Sequence, residues 1–192
     1  MSNHVNSRGI NEFHLRTYLA ADLQRAQLLL HGGDVAIVGL RLWLGLLSPR
    51  FVPVFLCRLA HRFHCWNMSF FAKTIALLNF FFFGIEIAVR CSIGRGLFLP
   101  HTQGTVIGAW SIGENVTIFQ GVTLGAKELD FSYQQLSRPT VGDDVTIGSG
   151  AKILGGVTIG SFSRVGANAV VLTDVPPNSL AVGVPAKLIL IN

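Results

Sequence analysis

Large aliphatic residues recur every six positions through much of the second half of the chain. Six of them follow one another without a break: Val141, Ile147, Ile153, Ile159, Val165 and Val171. The residue two places before each of the last five is small or β-branched, and glycine follows four of the six. A fixed six-residue period is typical of a solenoid whose coils have flat sides, each burying one large side chain. The period therefore predicts a β-helix and argues against a β-sandwich.

An earlier run extends this pattern towards the middle of the chain: Ile87, Ile93, Leu99, Val106, Ile112, Ile118 and Leu124. The interval after Leu99 has seven residues, so one extra residue is expected just after His101, the last histidine of the chain. The interval after Leu124 has seventeen residues, so residues 125–140 should leave the coil as a loop. Loops on a rigid scaffold are frequent sites of function. His101 and this loop are therefore the first candidates.

The first part of the chain has apolar residues at helical spacing instead. Three segments show it: residues 11–30, 35–66 and 69–83. Glycines at 32 and 33 should end the first segment, and Pro49 and Pro53 should interrupt the second. We therefore predict an α-helical region over residues 1–85 and a β-helix domain over residues 86–192.

The helical segments are apolar, but charged side chains divide residues 41–86 into stretches of at most twelve uncharged residues. A membrane-spanning helix needs roughly 20 apolar residues, so spanning is not expected. Two interpretations stay open: packing against the β-helix and neighbouring subunits, or lying in a membrane interface with arginines at the headgroups. The polar first 18 residues and the three cysteines without CxxC spacing predict a cytoplasmic protein, at the inner face of the membrane under the second interpretation.

The net charge of +5 suits an anionic small molecule, an acidic glycan or a membrane surface equally well. No basic run with interleaved aromatic residues is present, so nucleic acid is not predicted as a partner.

The chain resembles the serine O-acetyltransferase branch of the hexapeptide acyltransferases over roughly residues 34–190, in the motifs FGIEIAVRCSIGRGLFLPHTQGTVIG, VTLGA, VTIGSGAKILGGVTIG and VGANAVVLTDVPPNSLAVGVPAK. The resemblance implies a left-handed parallel β-helix and a homotrimer with active sites between subunits. It also implies acetyl-CoA as co-substrate, acetyl transfer to a hydroxyl, and no metal.

Two motifs carry the catalytic residues that the resemblance implies. Residues 100–104, PHTQG, match the motif of the family's catalytic histidine, and residues 84–87, GIEI, match that of its acidic partner. His101 would then take the proton of the attacking hydroxyl as general base, and Glu86 would orient the ring and stabilise the imidazolium. A backbone N–H near Gly125, where the coil opens, is the expected donor to the oxyanion.

The resemblance also implies a set of residues that bind CoA. Small residues would contact the pantetheine arm, and two cations would contact the phosphates: Gly125, Ala126, Ser149, Ala167, Arg164 and Lys187. Corner packing of the coil is the alternative role for the small residues, and a solvated surface charge is the alternative for the cations.

The acceptor side departs from the family pattern. Pro100 replaces the acid that precedes the histidine, and residues 137–139, SRP, replace an R-H-P motif in the loop. Asp34 and Arg138 remain as candidate acceptor-binding residues. These changes predict an acetyl-CoA-dependent O-acetyltransferase acting on a sugar of a surface or extracellular polysaccharide or its precursor, like the exopolysaccharide enzymes of the colanic acid type. The alternatives are a serine O-acetyltransferase of cysteine biosynthesis and a non-catalytic β-helical binding or scaffold protein.

Overall fold

The computed structural model describes residues 15–32 and 48–190. Three helices precede the coil: α1 (Leu15–His31), α2 (Val52–Cys65) and α3 (Ser69–Phe83). A proline lies in the first turn of α2, where its missing N–H would have no partner in the helix. Gly84 ends α3 in the left-handed conformation, with φ 61°, which glycine adopts without steric cost.

From Ile85 onward the described chain forms short strands. The strands are β1 (Ile85–Ile87), β2 (Ser92–Ile93), β3 (Thr105–Ile107), β4 (Ser111–Ile112), β5 (Thr117–Ile118), β6 (Thr123–Gly125), β7 (Thr140–Val141), β8 (Thr146–Ile147), β9 (Lys152–Leu154), β10 (Thr158–Ile159), β11 (Arg164–Val165), β12 (Val170–Val171), β13 (Ser179–Val182) and β14 (Lys187–Leu190).

The strands stack into three sheets, which form the three sides of the coil. Sheet A has the order β1-β3-β6-β9-β12, sheet B the order β2-β4-β7-β10, and sheet C the order β5-β8-β11-β13-β14. All neighbours are parallel except β14, which pairs antiparallel with β13. The chain visits A, B and C in turn, which confirms the predicted left-handed parallel β-helix of hexapeptide repeats.

The upper coils keep the register that the period predicts. Ile147 pairs with Val165, and Ile153 with Val171, eighteen residues apart in each case. These inward side chains are at most 2% exposed and form one continuous apolar core along the coil axis. Truncation of such a core residue to alanine typically costs about 2–5 kcal/mol.

The register predicted for the lower coil is wrong at one position. Ile107, not Val106, pairs with Ile87 and is fully buried, whereas Val106 faces outward and is 37% exposed. The interval from Leu99 to the next inward residue is therefore eight residues rather than seven. The six-residue period could not distinguish the two neighbours because both are large and β-branched. As a result, the corner that holds His101 is wider than the sequence predicts.

A buried ion pair joins the first two helices to the first coil. Arg58 of α2 donates from Nε and Nη2 to the Asp22 carboxylate of α1, both at 2.9 Å, and the side chains are 3% and 0% exposed. The same guanidinium donates to the carbonyl oxygens of Ile93 and Gly94 at 2.6 Å, while Leu97 N–H donates to Asp22. The coil end is thus capped by a polar network rather than by apolar packing alone.

Helix α3 buries only Ala72 and Asn79, and presents most of its large apolar side chains outward. Seven are 42–76% exposed: Phe70, Phe71, Leu77, Leu78, Phe80, Phe81 and Phe82. Over residues 15–32 and 48–190, no helix combines the length and the apolar character needed to cross a bilayer. Helix α3 therefore offers an apolar surface for contact with another subunit or with a membrane.

Candidate active site

A column of left-handed residues marks the corner where the chain passes from sheet C to sheet A. Its members are Gly84, Gly104, Gly121, Gly150 and Asn168, with φ between 56° and 72°. Backbone hydrogen bonds of 2.8–3.0 Å link the successive levels of this corner. A residue with φ in this range turns the chain sharply, which favours glycine or asparagine. We call this edge of the prism the C–A corner.

His101 lies on the C–A corner, in the widened turn between Leu99 and Ile107. The turn is fastened to α3, because Thr102 Oγ1 donates to the Phe83 carbonyl oxygen at 2.7 Å. A second contact runs from Arg50 Nε to the Pro100 carbonyl oxygen at 3.3 Å. The imidazole itself is exposed, and within the described residues no hydrogen bond occupies it. Its support is therefore rigid, while its ring is accessible to a substrate.

Glu86 lies on the coil below His101. It is the middle residue of β1, pairs with Val106 and points outward from sheet A. Gly84, two residues earlier, accepts a hydrogen bond from Gly104 N–H at 2.9 Å, so the two motifs are adjacent. No hydrogen bond joins Glu86 to His101 in the part of the chain that the structure describes. The orienting role of Glu86 stays a prediction.

Four of the predicted CoA-binding residues lie near the same corner on higher coils. Ser149 and Ala167 stand on adjacent levels of the C–A corner, linked by the hydrogen bond from Asn168 N–H to the Ser149 carbonyl oxygen at 2.8 Å. Arg164 on β11 and Lys187 on β14 are exposed on the outer face of sheet C, which leads into this corner. The C–A corner thus carries His101, Ser149 and Ala167, and the two cations lie on the adjoining face of sheet C.

Gly125 and Ala126 lie on the opposite edge of sheet A, which we call the A–B corner. A Cβ atom placed on Gly125 would meet no atom within 4 Å, so its surroundings are open. Residues 126–139 leave the coil here and include a short 3-10 turn, Gln135–Ser137. Between this extruded loop and the coil lies a cavity of about 680 Å³ whose lining includes Ala126, Gly155 and Gly156. Volumes of this size are common for small-molecule sites.

Arg138, predicted to contact the acceptor, is the centre of a network inside the extruded loop. Its Nε donates to Asp130 Oδ2 at 2.8 Å, and its guanidinium carbon lies 4.0 Å from the centre of the Tyr133 ring. Although burial acts to raise it, the pKa of Asp130 falls to about 2 through hydrogen bonds from Gln134, Ser132, Arg138 and Tyr133. A contact of Arg138 with the acceptor stays a prediction.

Sequence reasoning missed Asp130 and Tyr133. Asp130 accepts from the side chain of Ser132 and the backbone N–H of Tyr133 and Gln134, a local pattern typical of aspartate in turns. The signal available in the sequence was therefore an aspartate two residues before a serine in a long insertion, which is too common to stand out.

Asp34, the other predicted acceptor-binding residue, lies outside the described residues. Among residues 15–32 and 48–190, no group of three or more His, Cys, Asp or Glu side chains is placed to hold a metal ion.

Residues 138–173 match a sequence family described as bacterial transferase hexapeptide (six repeats). Together with the exposed His101 at a coil corner, this match defines the class: a hexapeptide-repeat acyltransferase. The serine acetyltransferase of Helicobacter pylori is 45% identical over 145 residues, which cover 75% of this chain and 83% of that protein. The chain belongs to the serine acetyltransferase family. It spans 61% of the length of the serine acetyltransferases of Bacillus pumilus and Bacillus subtilis.

Solved structures agree with this assignment. A serine acetyltransferase from Neisseria gonorrhoeae superposes with a TM-score of 0.80 at 32% identity, covering 93% of this chain and 67% of that one. A serine acetyltransferase in complex with CoA superposes with a TM-score of 0.77 at 29% identity, covering 91% of this chain and 69% of that one.

These comparisons overturn the predicted polysaccharide acceptor. Relatives at 43–45% identity are serine acetyltransferases, so the expected likeness to exopolysaccharide enzymes and the sugar acceptor are wrong. The prediction relied on Pro100 and on Arg138 in the altered loop motif. The structure gives Arg138 a different reason to be present, because its guanidinium organises the extruded loop. The changed loop motif therefore gives no support to a sugar acceptor.

Proposed function

We propose that this protein is a serine O-acetyltransferase, which transfers the acetyl group of acetyl-CoA to the hydroxyl of L-serine. The observation that carries the proposal is the position of His101. An exposed imidazole stands on a rigid coil corner in a chain that is 45% identical over 145 residues to a serine acetyltransferase. A scaffold protein would have no need of an accessible histidine in this widened turn.

The proposed chemistry follows from what the side chains can do. Serine hydroxyl is a weak nucleophile at neutral pH, and a neutral imidazole can accept its proton as the oxygen attacks the thioester carbonyl. The tetrahedral intermediate then expels the CoA sulfur, which takes the proton back from the His101 imidazolium. O-acetylserine and CoA leave, and the ring is neutral again. Glu86 would hold the ring in the productive tautomer and stabilise its charged form.

The donor is proposed to place its thioester at the opening beside Gly125 and its phosphates at Arg164 and Lys187. The solved serine acetyltransferase in complex with CoA supports acetyl-CoA as the co-substrate. In this chain, the open space at Gly125 would admit the thioester, and a backbone N–H at this opening would donate to the oxyanion. Arg164 and Lys187 are exposed and free of acidic partners among the described residues, as phosphate-binding cations should be.

The proposed active unit is a homotrimer with sites between subunits. In one protomer, His101 stands at the C–A corner and the Gly125 opening at the A–B corner, on opposite edges of sheet A. Three to four residues of strand separate these edges, or roughly 10–13 Å. Placing the C–A corner of one protomer against the A–B corner of the next would bring both parts into one cleft. The apolar face of α3 supports contact with another subunit.

Association of α3 with a membrane surface is the alternative use of that face, favoured by its exposed phenylalanines and by the absence of acidic residues from α2 and α3. Flotation with liposomes of phosphatidylglycerol and phosphatidylcholine distinguishes the two: protein that stays at the bottom of the gradient supports subunit packing.

Turnover of acetyl-CoA, followed as release of free thiol, tests the proposed reaction. Purified protein should release CoA in the presence of L-serine and form O-acetylserine, identified by mass spectrometry. Glycine is the matched control, because it has the same amino acid backbone without the hydroxyl. Thiol release that is the same with glycine as with serine, or none with serine, would refute the proposal.

A further inference from the structure

The extruded loop is held in shape by three of its own side chains, which we call the loop clasp: Asp130, Tyr133 and Arg138. We propose that the loop clasp positions the loop as a wall of the acetyl-CoA site. Its members are thus positioning residues for the donor site. This inference rests on the proposed function, and it assigns a role to two residues that no motif marked.

The guanidinium of Arg138 uses all three nitrogens. Nε donates to Asp130 Oδ2 at 2.8 Å, Nη2 to the Asp130 carbonyl oxygen at 2.9 Å, and Nη1 to the Gly108 carbonyl oxygen at 2.8 Å. Its plane also lies over the Tyr133 ring. Arginine alone offers donors in this forked arrangement, so lysine cannot reproduce the set.

The carboxylate of Asp130 is equally occupied. Oδ1 accepts from Ser132 Oγ and Tyr133 N–H, and Oδ2 accepts from Gln134 N–H and Arg138 Nε, all at 2.8–2.9 Å. Four donors therefore converge on one side chain that is 8% exposed. An amide in its place would set an NH2 group against two of these donors. The arrangement fixes the path of the chain from Asp130 to Gln134.

Three side-chain hydrogen bonds fasten the loop to the coil beneath it, and the longest runs from Arg90 Nη1 to the Ser132 carbonyl oxygen at 3.4 Å. Arg138 reaches the Gly108 carbonyl oxygen, and the Tyr133 hydroxyl donates to the Ala109 carbonyl oxygen at 2.5 Å. Both acceptors directly follow β3, on the A–B corner one coil below Gly125. Tyr133 itself has φ 60°, a conformation that needs support in a residue with a side chain. These hydrogen bonds hold the loop against the A–B corner, so that it does not extend freely from the coil.

The clipped loop forms one side of the cavity of about 680 Å³, and the coil forms the other at Gly155 and Gly156. Ala126, which the family resemblance places at the donor, lines the same cavity. A site whose wall is preorganised loses less conformational entropy when it binds its ligand. Release of the loop clasp should therefore weaken donor binding while His101, on the other corner, keeps its geometry.

Arg138→Lys and Asp130→Asn test the inference in the full-length protein. We expect the KM for acetyl-CoA, and the Kd for CoA measured by calorimetry, to rise about tenfold, because the freed loop must be ordered on binding. The kcat and the KM for serine should change by less than about threefold. Hydrogen exchange at Tyr133 and Gln134 should become faster in both variants. Tyr133→Phe, which keeps the ring beneath Arg138 and removes one hydrogen bond, should give a smaller rise.

Arg95→Lys is the matched control. Arg95 forms a comparable arginine–carboxylate pair with Glu114, but on the exposed surface of the coil, with side chains 49% and 47% exposed. The Arg95→Lys variant should leave both the Kd for CoA and the steady-state kinetics unchanged. Unaltered CoA binding in Arg138→Lys, or a fall in kcat at unchanged KM for acetyl-CoA, would overturn the inference alone. Wild-type protein that binds CoA but does not acetylate serine would overturn the proposed function alone, and failure to bind CoA would overturn both.

Discussion

At the scale of single residues, His101 is the side chain on which the proposed reaction depends. His101→Ala should lower kcat by about 10²–10⁴-fold, the usual contribution of a general base, and leave the KM for acetyl-CoA nearly unchanged. Steady-state kinetics with serine measure both constants. His101 is exposed and makes no hydrogen bond to the described residues, so its removal should not disturb folding.

A circular dichroism spectrum identical to that of the wild type would confirm that fold in the His101→Ala variant. Full activity in His101→Ala would show that another group accepts the serine proton.

Glu86→Gln should give a smaller loss of kcat than His101→Ala, because it removes the orientation and the charge supplied to the ring rather than the base itself.

The titration of Asp130 is a second prediction at this scale. Its pKa of about 2 lies below the ordinary value of 3.8, so its contribution to loop order is fully present above about pH 4. That contribution is lost as the pH falls through about 2. The carboxyl carbon shift of Asp130, followed by NMR, should therefore move with a midpoint near 2. In Arg138→Lys the midpoint should rise, since one of the donors to the carboxylate is weakened. A midpoint near 4 in the wild type would contradict the convergent hydrogen bonds.

At the scale of secondary-structure elements, the buried pair of Arg58 and Asp22 links α1 and α2 to the first coil. Arg58→Met should lower the free energy of unfolding by about 3–5 kcal/mol, because it leaves a buried carboxylate without its counter-charge. Urea unfolding at a fixed protein concentration measures the loss. The double variant Asp22→Leu/Arg58→Met should lose less than the sum of the two single variants.

Arg95→Met provides the comparison for that prediction, because it breaks an exposed pair of the same chemistry. Its cost should stay below about 1 kcal/mol, as is usual for surface ion pairs. Equal losses in Arg58→Met and Arg95→Met would mean that the buried network contributes no more than a surface contact.

The elements also show how far the sequence alone could lead. From Val141 to Val171 the six-residue period places every inward residue correctly, because each side of the coil there contains the same number of residues. It fails at Val106 and Ile107, where two β-branched residues are adjacent and only the pairing with β1 decides which one is buried. The irregular interval in the repeat singled out His101, and its motif supplied the catalytic role. The loop clasp was not found, because it depends on the path of residues 126–139 through space, for which no period exists.

At the scale of the whole molecule, the separation of the two corners predicts complementation between inactive variants. His101→Ala damages the C–A corner, and Ala126→Trp blocks the A–B corner. If each active site combines the two corners from neighbouring subunits, mixed trimers of the variants contain some sites with both corners intact. Co-expressed variants should therefore recover part of the activity that each lacks alone, measured with serine and acetyl-CoA.

Mixtures made from separately purified, non-exchanging trimers are the control and should remain inactive. Light scattering should give a mass of three chains of 20.8 kDa for each variant. Co-expressed mixtures without activity would place the whole site within one protomer.

The loop between Gly125 and Thr140 has a consequence for how such a protein can change over time. Leu124 and Ile153 remain in register although twenty-nine residues separate them, where the uninterrupted coils use eighteen. The register of the stacked strands therefore does not depend on how many residues leave the coil at this corner. During evolution, insertions and deletions can lengthen, shorten or replace this loop without disturbing the apolar core of the coil. New ligand preferences can in this way arise on an unaltered scaffold.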